Sequence, residues 1–226
     1  MKIAVLGTGP VGQTVSAALT ALGHQVVIGT RDRQATMART EPDTFGNPPF
    51  STWHQGHPDI LVATLPDAVA DAELVINATN GAGSLTALEA AGSDALADKV
   101  LIDIANPLDF SQGMPPSLLV SNTDSLGEQI QRRLPRTKVV KALNTMNAYL
   151  MVDPGQLAAG DHTSFVSGND ASAKQTVTEL LTDLGHQDII DLGDITTARG
   201  TEMYLPLWAR LWAGLGTPMF SIKVVR

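Results

Sequence analysis

The chain has 226 residues, 43% hydrophobic and 17% charged, a balance that suits one or two compact domains and not a disordered segment. Its formal charge of −8 argues against a nucleic-acid partner, because a phosphate backbone would be repelled. It contains no cysteine, which excludes disulfides, thiolate catalysis and cysteine-ligated metal centres. Its five histidines (His24, His54, His57, His162 and His186) lack metal-ligand spacing, so no metal is expected.

The wholly apolar run Ile3-Ala4-Val5-Leu6 predicts a strand buried on both faces, as in a parallel sheet. No charged-then-apolar leader precedes it, and no apolar run reaches roughly 18 residues; neither a secretory signal nor a membrane span is expected, and the cytoplasm is the default location. Val11, Val15, Ala18, Leu19 and Leu22 then recur at helical spacing, with Gly23 as the stop, and residues 25–28 read as a second strand. This is one strand–helix–strand crossover. Further strands are expected at 60–65, 74–78, 100–104, 138–142, 163–167 and 188–192, and a terminal one at 222–225. Helices are expected at 84–91, behind the capping box Ser125-Leu126-Gly127-Glu128, over 173–184 and over 205–215, where Trp208 and Trp212 read as core or dimer contacts. The stretches 47–50 and 112–117 read as loops.

Strands alternating with helices predict an α/β fold: a Rossmann-type, doubly wound, mostly parallel sheet. Pro154, Gly155 and Gly160 interrupt the order. They suggest a division into residues 1–148, a nucleotide-binding domain, and residues 149–226, a small α/β domain carrying an acceptor site and dimer contacts.

Gly7-Thr8-Gly9-Pro10-Val11-Gly12 matches G-x-G-x-x-G directly after a strand and at the opening of a helix, the context in which that pattern marks a dinucleotide site. Gly7 allows the tight turn, Gly9 a close backbone approach to the diphosphate, and Gly12 close helix–sheet packing. The first-turn N–H groups and the helix dipole favour the anion. Where NAD enzymes place an acid at the end of the second strand, this chain has Gly29-Thr30-Arg31. Thr30 can donate to a 2′-phosphate and Arg31 can pair with it, with Arg33 and Arg39 nearby, so NADP is the expected coenzyme. Ala78, Thr79 and Asn80 after the fourth strand are expected along the ribose and nicotinamide. Asn106 and Pro107 after the fifth, and Asn144 after the sixth, are expected at the reacting ring. Lys141 reads either as a catalytic ammonium or as the partner of a carboxylate, and Asp103 is equally open. No acid–base residue is assigned, which agrees with hydride transfer, where the coenzyme carries the chemistry.

Together these segments resemble the F420-dependent NADP oxidoreductase family (NADPH-dependent F420 reductases), whose cofactor domain also occurs in STEAP-type metalloreductases. The resemblance rests on the glycine turn, Gly29-Thr30-Arg31, Lys138-Val139-Val140-Lys141-Ala142-Leu143-Asn144-Thr145, Gly168-Asn169-Asp170-Ala171-Ser172-Ala173-Lys174, Asp191-Leu192-Gly193, Ala198-Arg199 and Ser221-Ile222-Lys223-Val224. It implies hydride exchange between NADP(H) and the deazaflavin F420 in a homodimer. Thr30 and Arg31 would hold the 2′-phosphate, and residues 144–146 with the chain end would line the second ring's site. Other acceptors stay open at this stage: FMN, FAD, or a small carbonyl or imine. So does a non-catalytic NADPH sensor.

Overall fold

A computed structural model of the chain describes residues 1–43 and 46–226. In chain order the elements are β1 (Lys2–Leu6), α1 (Pro10–Ala21), β2 (Gln25–Thr30), α2 (Arg33–Ala38), α3 (Phe50–Gln55), β3 (Leu61–Thr64), α4 (Leu65–Ala70), β4 (Leu74–Asn77), α5 (Gly81–Ala91), α6 (Ser93–Leu96) and β5 (Val100–Asp103). There follow a two-stranded hairpin, β6 (Leu108–Asp109) with β7 (Ser117–Leu118), then α7 (Leu126–Arg133), β8 (Lys138–Ala142), α8 (Ala148–Val152), β9 (Thr163–Gly168), α9 (Ala171–Asp183), β10 (Asp188–Asp191), α10 (Ala198–Met203) and α11 (Leu205–Leu215).

One eight-stranded sheet runs in the order β10-β9-β8-β5-β4-β1-β2-β3. Every neighbouring pair is parallel except β8 with β9. This is the expected doubly wound, mostly parallel α/β sheet. Because strand side chains alternate between faces, each apolar strand feeds two cores. Ile3, Val5, Leu74, Ile76, Ile102 and Val140 meet α1, α8 and α9 on one face. Ala4, Leu6, Val75, Leu101 and Val139 meet α4, α5, α6, α7 and α10 on the other.

The sheet continues across position 148: β9 and β10, which follow it, lie in the same sheet as β8, which precedes it. The expected strand at 222–225 does not form. Ile222 accepts one bond from Thr163 N (2.7 Å), but Val224 N goes to the Thr163 side chain (3.0 Å), which ends any ladder. The stretch at 47–50 ends in a helix, α3. Pro66 does not merely stop a strand: Thr64 caps α4, whose first turn tolerates the proline. Trp208 packs on Phe220 and Trp212, while Trp212 stays exposed.

Two histidines near the β9–β10 end are buried. His186 bridges Ser164 Oγ (2.8 Å) and the Met151 carbonyl (3.0 Å), and its ring meets His162 edge-on at 6.3 Å. Burial lowers the His186 pKa, aided by His162 and opposed by the Met151 carbonyl. A histidine held neutral in the fold contributes nothing above its ordinary pKa of about 6.5. Below that pH the unfolded chain takes up a proton that the fold refuses, so stability falls at up to ~1.4 kcal/mol per pH unit. His186→Gln is therefore expected to flatten the stability loss between pH 7 and 5, measured by urea unfolding. A loss as steep as that of wild type would contradict the assignment.

Candidate functional site at the carboxyl ends of the strands

The six strands β1–β5 and β8 all end on one edge of the sheet, and their loops meet there. The turn after β1 is built from three glycines for three different reasons. Gly7 has φ +126°, and a Cβ there would lie 2.5 Å from the Ala78 carbonyl oxygen. A Cβ on Gly12 would lie 2.2 Å from the Gly7 carbonyl oxygen. Gly9 is exposed, and a Cβ there would meet nothing within 4 Å. Gly9 is also the N-cap of α1, with no side-chain cap, and Pro10 follows in the first turn. The first-turn amides of an α-helix have no partner within it, so this start is open to an anion. Thr8 is half-buried and its carbonyl accepts from Gln13 Nε2 (2.8 Å); Val11 is half-buried and packs on the core.

At the end of β2, Thr30 is buried and its hydroxyl lies 2.8 Å from Thr36 Oγ1, a hydrogen bond within the protein. Asp32 caps α2 through the Ala35 N–H (2.8 Å). Arg31, Arg33 and Arg39 are exposed and carry no ion pair among the described residues.

The loops after β4, β5 and β8 interlock. Thr79 spends its hydroxyl on Asn77 Oδ1 (2.6 Å) and Ser84 Oγ (2.8 Å), and Asn80 caps α5 through the Ala82 N–H (3.0 Å). Both side chains expected at a ribose thus have duties inside the protein, leaving mainly backbone to line the turn. A Cβ on Gly81 would fall 1.9 Å from the Asn106 carbonyl oxygen and 3.0 Å from the Pro107 Cα, so the loop after β4 lies directly on the loop after β5. Asn106 Nδ2 donates to the Asn144 carbonyl (2.8 Å), and Asn144 Nδ2 donates to Asn106 Oδ1 (2.9 Å). Leu143, just before, holds φ +61°, a left-handed conformation that costs a non-glycine residue of order 1 kcal/mol. The structure thus gathers Gly7, Gly12 and Ala78 by direct backbone contact, and Asn106, Pro107 and Asn144 beside Gly81. Thr30 and Arg31 stand at the far side, beyond β1.

Beneath this rim lies an ion cluster. Lys141 is 1% exposed, with Nζ 2.9 Å from Asp103 Oδ2, 2.8 Å from Glu202 Oε1 and in a short bond to the Ala105 carbonyl. Burial acts to lower the Lys141 pKa, but Asp103 and Glu202 outweigh it and the net shift is upward. Lys141 is therefore the partner of carboxylates, the structural one of its two readings. Glu202 also accepts from Leu126 N (2.8 Å) and Gly127 N (3.0 Å), a carboxylate at the positive end of α7. Sequence reading missed Glu202, which lies far along the chain on a short helix. The capping box is present as expected, and Arg199 joins it, holding the Glu128 carboxyl below its ordinary range. The loops after β1, β4, β5 and β8 offer amides and hydroxyls but no carboxylate or imidazole. Such a rim can bind and orient. Among the described residues no group of three or more His, Asp or Glu is placed to hold a metal, and no helix is long and apolar enough to cross a membrane.

A Cβ on Gly12 or Gly81 overlaps backbone that cannot move aside cheaply, whereas one on Gly9 overlaps nothing. Gly12→Ala and Gly81→Ala are each expected to lower stability by about 1–3 kcal/mol. Gly9→Ala, which meets no atom and loses only the N-cap preference for glycine, should cost less than either, at most about 1 kcal/mol. Thermal melts of the three variants check this ordering.

Residues 2–107, from β1 to the loop after β5, match the family described as NADP oxidoreductase, coenzyme F420-dependent. The chain is 64% identical, over all of both chains and with a TM-score of 0.96, to a protein from Arthrobacter sp. FB24 whose 1.70 Å crystal structure is described as that of a candidate F420-dependent NADP-reductase. It is 28% identical over 218 residues to the F420-dependent NADP reductase of Methanothermobacter thermautotrophicus, covering 93% of this chain and 89% of that one. It is 26% identical to the rat metalloreductase STEAP3, where it covers 92% of this chain but spans only 38% of the relative's length. By fold, by match and by these relatives, the chain belongs to the F420-dependent NADP oxidoreductase family.

Proposed function

We propose that the chain is an NADP(H)-dependent oxidoreductase that moves a hydride between NADP(H) and a flavin-like acceptor, F420 first among them. Gly9 carries the coenzyme reading. Gly7 and Gly12 are explained by packing inside the protein, whereas Gly9 has open space where a side chain would be, beside an uncapped helix start. A glycine that no packing contact requires suits a ligand that approaches the backbone closely. In this reading residues 7–12 hold the diphosphate, and Arg31, helped by Thr30, holds the 2′-phosphate. Ala78, Thr79 and Asn80 line the ribose, and Asn106, Pro107 and Asn144 orient the nicotinamide ring. When bound, the reduced nicotinamide supplies the hydride; the protein supplies orientation and exclusion of water.

F420 as the acceptor is supported by the names of the archaeal relatives and of the Arthrobacter protein. A homodimer is supported by the exposed stripe Met203, Leu207, Leu211 and Leu215, spaced four apart along α10 and α11.

Arg31→Ala is expected to weaken NADPH about tenfold, the loss of one exposed charge-assisted contact of roughly 1.5 kcal/mol, while NADH changes less than about twofold. Calorimetric titration of both coenzymes measures it. Retained preference for NADPH would remove the phosphate contact, and no binding of either coenzyme would remove the reading. Turnover is then followed with F420, FMN, FAD and ferric chelates; oxidation of bound NADPH by none of them would favour a sensor. Light scattering should give about twice 23.8 kDa for wild type and a monomer for Leu207→Glu/Leu211→Glu.

A further inference from the structure

We propose that Glu202, Lys141 and Asp103 form the positioning device for the nicotinamide half of the site, acting through the rim loops and not by touching the coenzyme. The inference rests on the dinucleotide reading above. In the sheet, β2 and β3 lie on one side of the glycine turn, and β4, β5 and β8 lie on the other. A dinucleotide with its diphosphate at the start of α1 therefore lays its adenosine half toward the arginines and its other half over the loops after β4, β5 and β8.

Asn77, Asp103 and Lys141 are direct cross-strand neighbours in three adjacent parallel strands. They form one buried polar row just under those loops. The bonds of the row run outward to the rim. Asp103 Oδ1 accepts from Asn77 Nδ2 (2.8 Å) and from the Ala105 N–H (3.2 Å), and Lys141 donates to the Ala105 carbonyl. Both polar groups of Ala105 are thus tied to the ion pair, which sets the direction in which Asn106 leaves the strand. Asn106 then exchanges amide bonds with Asn144, three residues after Lys141. On the other side Asn77 Oδ1 accepts from the Thr79 hydroxyl (2.6 Å) and the Thr79 N–H (3.3 Å), which fixes Thr79 beside the glycine turn. Glu202 is anchored independently by two α7 amides and supplies the second carboxylate for the lysine.

Stability alone does not call for such a cluster. Two residues earlier on the same face the row is Val75, Leu101 and Val139, all buried and apolar. Replacing a buried ion cluster by apolar groups of like size is often neutral or stabilising. What apolar residues could not do is hold both the N–H and the carbonyl of Ala105 and, through Asn77, the loop beside it.

The test uses the near-isosteric triple variant D103N/K141M/E202Q, with 2′,5′-ADP as a probe that carries the adenosine and 2′-phosphate but no nicotinamide. The variant is expected to bind 2′,5′-ADP within about twofold of wild type while NADPH weakens about tenfold, as when positioning and not contact is lost. The emission change of reduced nicotinamide on binding should shrink with it. Equal weakening of both ligands, or of neither, overturns the positioning role, since a merely structural role would move both together. Should the triple variant fail to fold, E202Q alone, which keeps a one-to-one Lys141–Asp103 pair, must still raise the ratio of NADPH to 2′,5′-ADP dissociation constants by about threefold. A wild-type ratio in E202Q overturns the proposal. A wild-type protein that binds neither ligand overturns the dinucleotide reading itself.

Discussion

A single ammonium, that of Lys141, faces two carboxylates inside the protein, and the upper edge of the sheet is organised around it. Taking three charges out of water is costly, and their attraction offsets the cost only when the remaining lone pairs are also satisfied. Here they are. Asp103 takes an amide and a side chain from its own edge, and Glu202 takes two amides at the start of α7, where the helix dipole favours negative charge. The cluster thereby pins α10 and α7 to β5 and β8. An apolar contact would press the same helices against the sheet without fixing which loop peptide faces which.

Above that cluster the rim is made of backbone pressed on backbone. Gly7 lies on Ala78, Gly12 on Gly7 and Gly81 on Asn106, each too close for a Cβ, and Leu143 holds a left-handed conformation at the turn out of β8. Loops joined this way cannot shift singly. A site built from them holds a fixed shape, which suits the orientation of a ring for hydride transfer better than flexible side chains do.

Much of this was legible in the sequence, and the parts that were not share a cause. Strands buried on both faces read as apolar runs, so β1, β4 and β5 stood out, and α9 and α11 are long enough to show their period. The short helices α2, α3, α4, α6, α8 and α10 have six residues or fewer, under two turns, and leave no periodic trace. Periodicity also cannot give strand direction, so the antiparallel step from β8 to β9 was invisible. At the site, glycine spacing announced the turn, and the missing acid after β2 pointed to the arginines. Asn77 and Asp103 close apolar strands and Lys141 stands next to last in β8, a signal open to reading as ligand contacts or as a cross-strand row. Only the register resolved it. Hydroxyls and amides suit both ligands and the protein's own polar groups, so sequence could not show that Thr79 also bonds the Asn77 and Ser84 side chains or that Asn80 also caps α5. Glu202 had no local signal, since its partner is 61 positions away in sequence and adjacent only after folding.

The two halves of the site are built on opposite principles. Beyond β2 the cations are exposed, unpaired among the described residues and free to adjust, so their pull is long-ranged and screened by salt. Over β4, β5 and β8 the polar groups are buried and already bonded to one another, so each leaves few directions open to a ligand. The first arrangement suits discrimination by charge at little cost in ordering. The second suits discrimination by geometry and leaves little room for displacement. Hydride transfer makes those demands on the two ends of a dinucleotide: one end must be recognised, and the other must be held at a fixed distance and angle from its acceptor. The polar row under the second half runs from the loop beside the glycine turn to β8, and the positioning role proposed for it would make the precision of that half depend on residues buried beneath the rim.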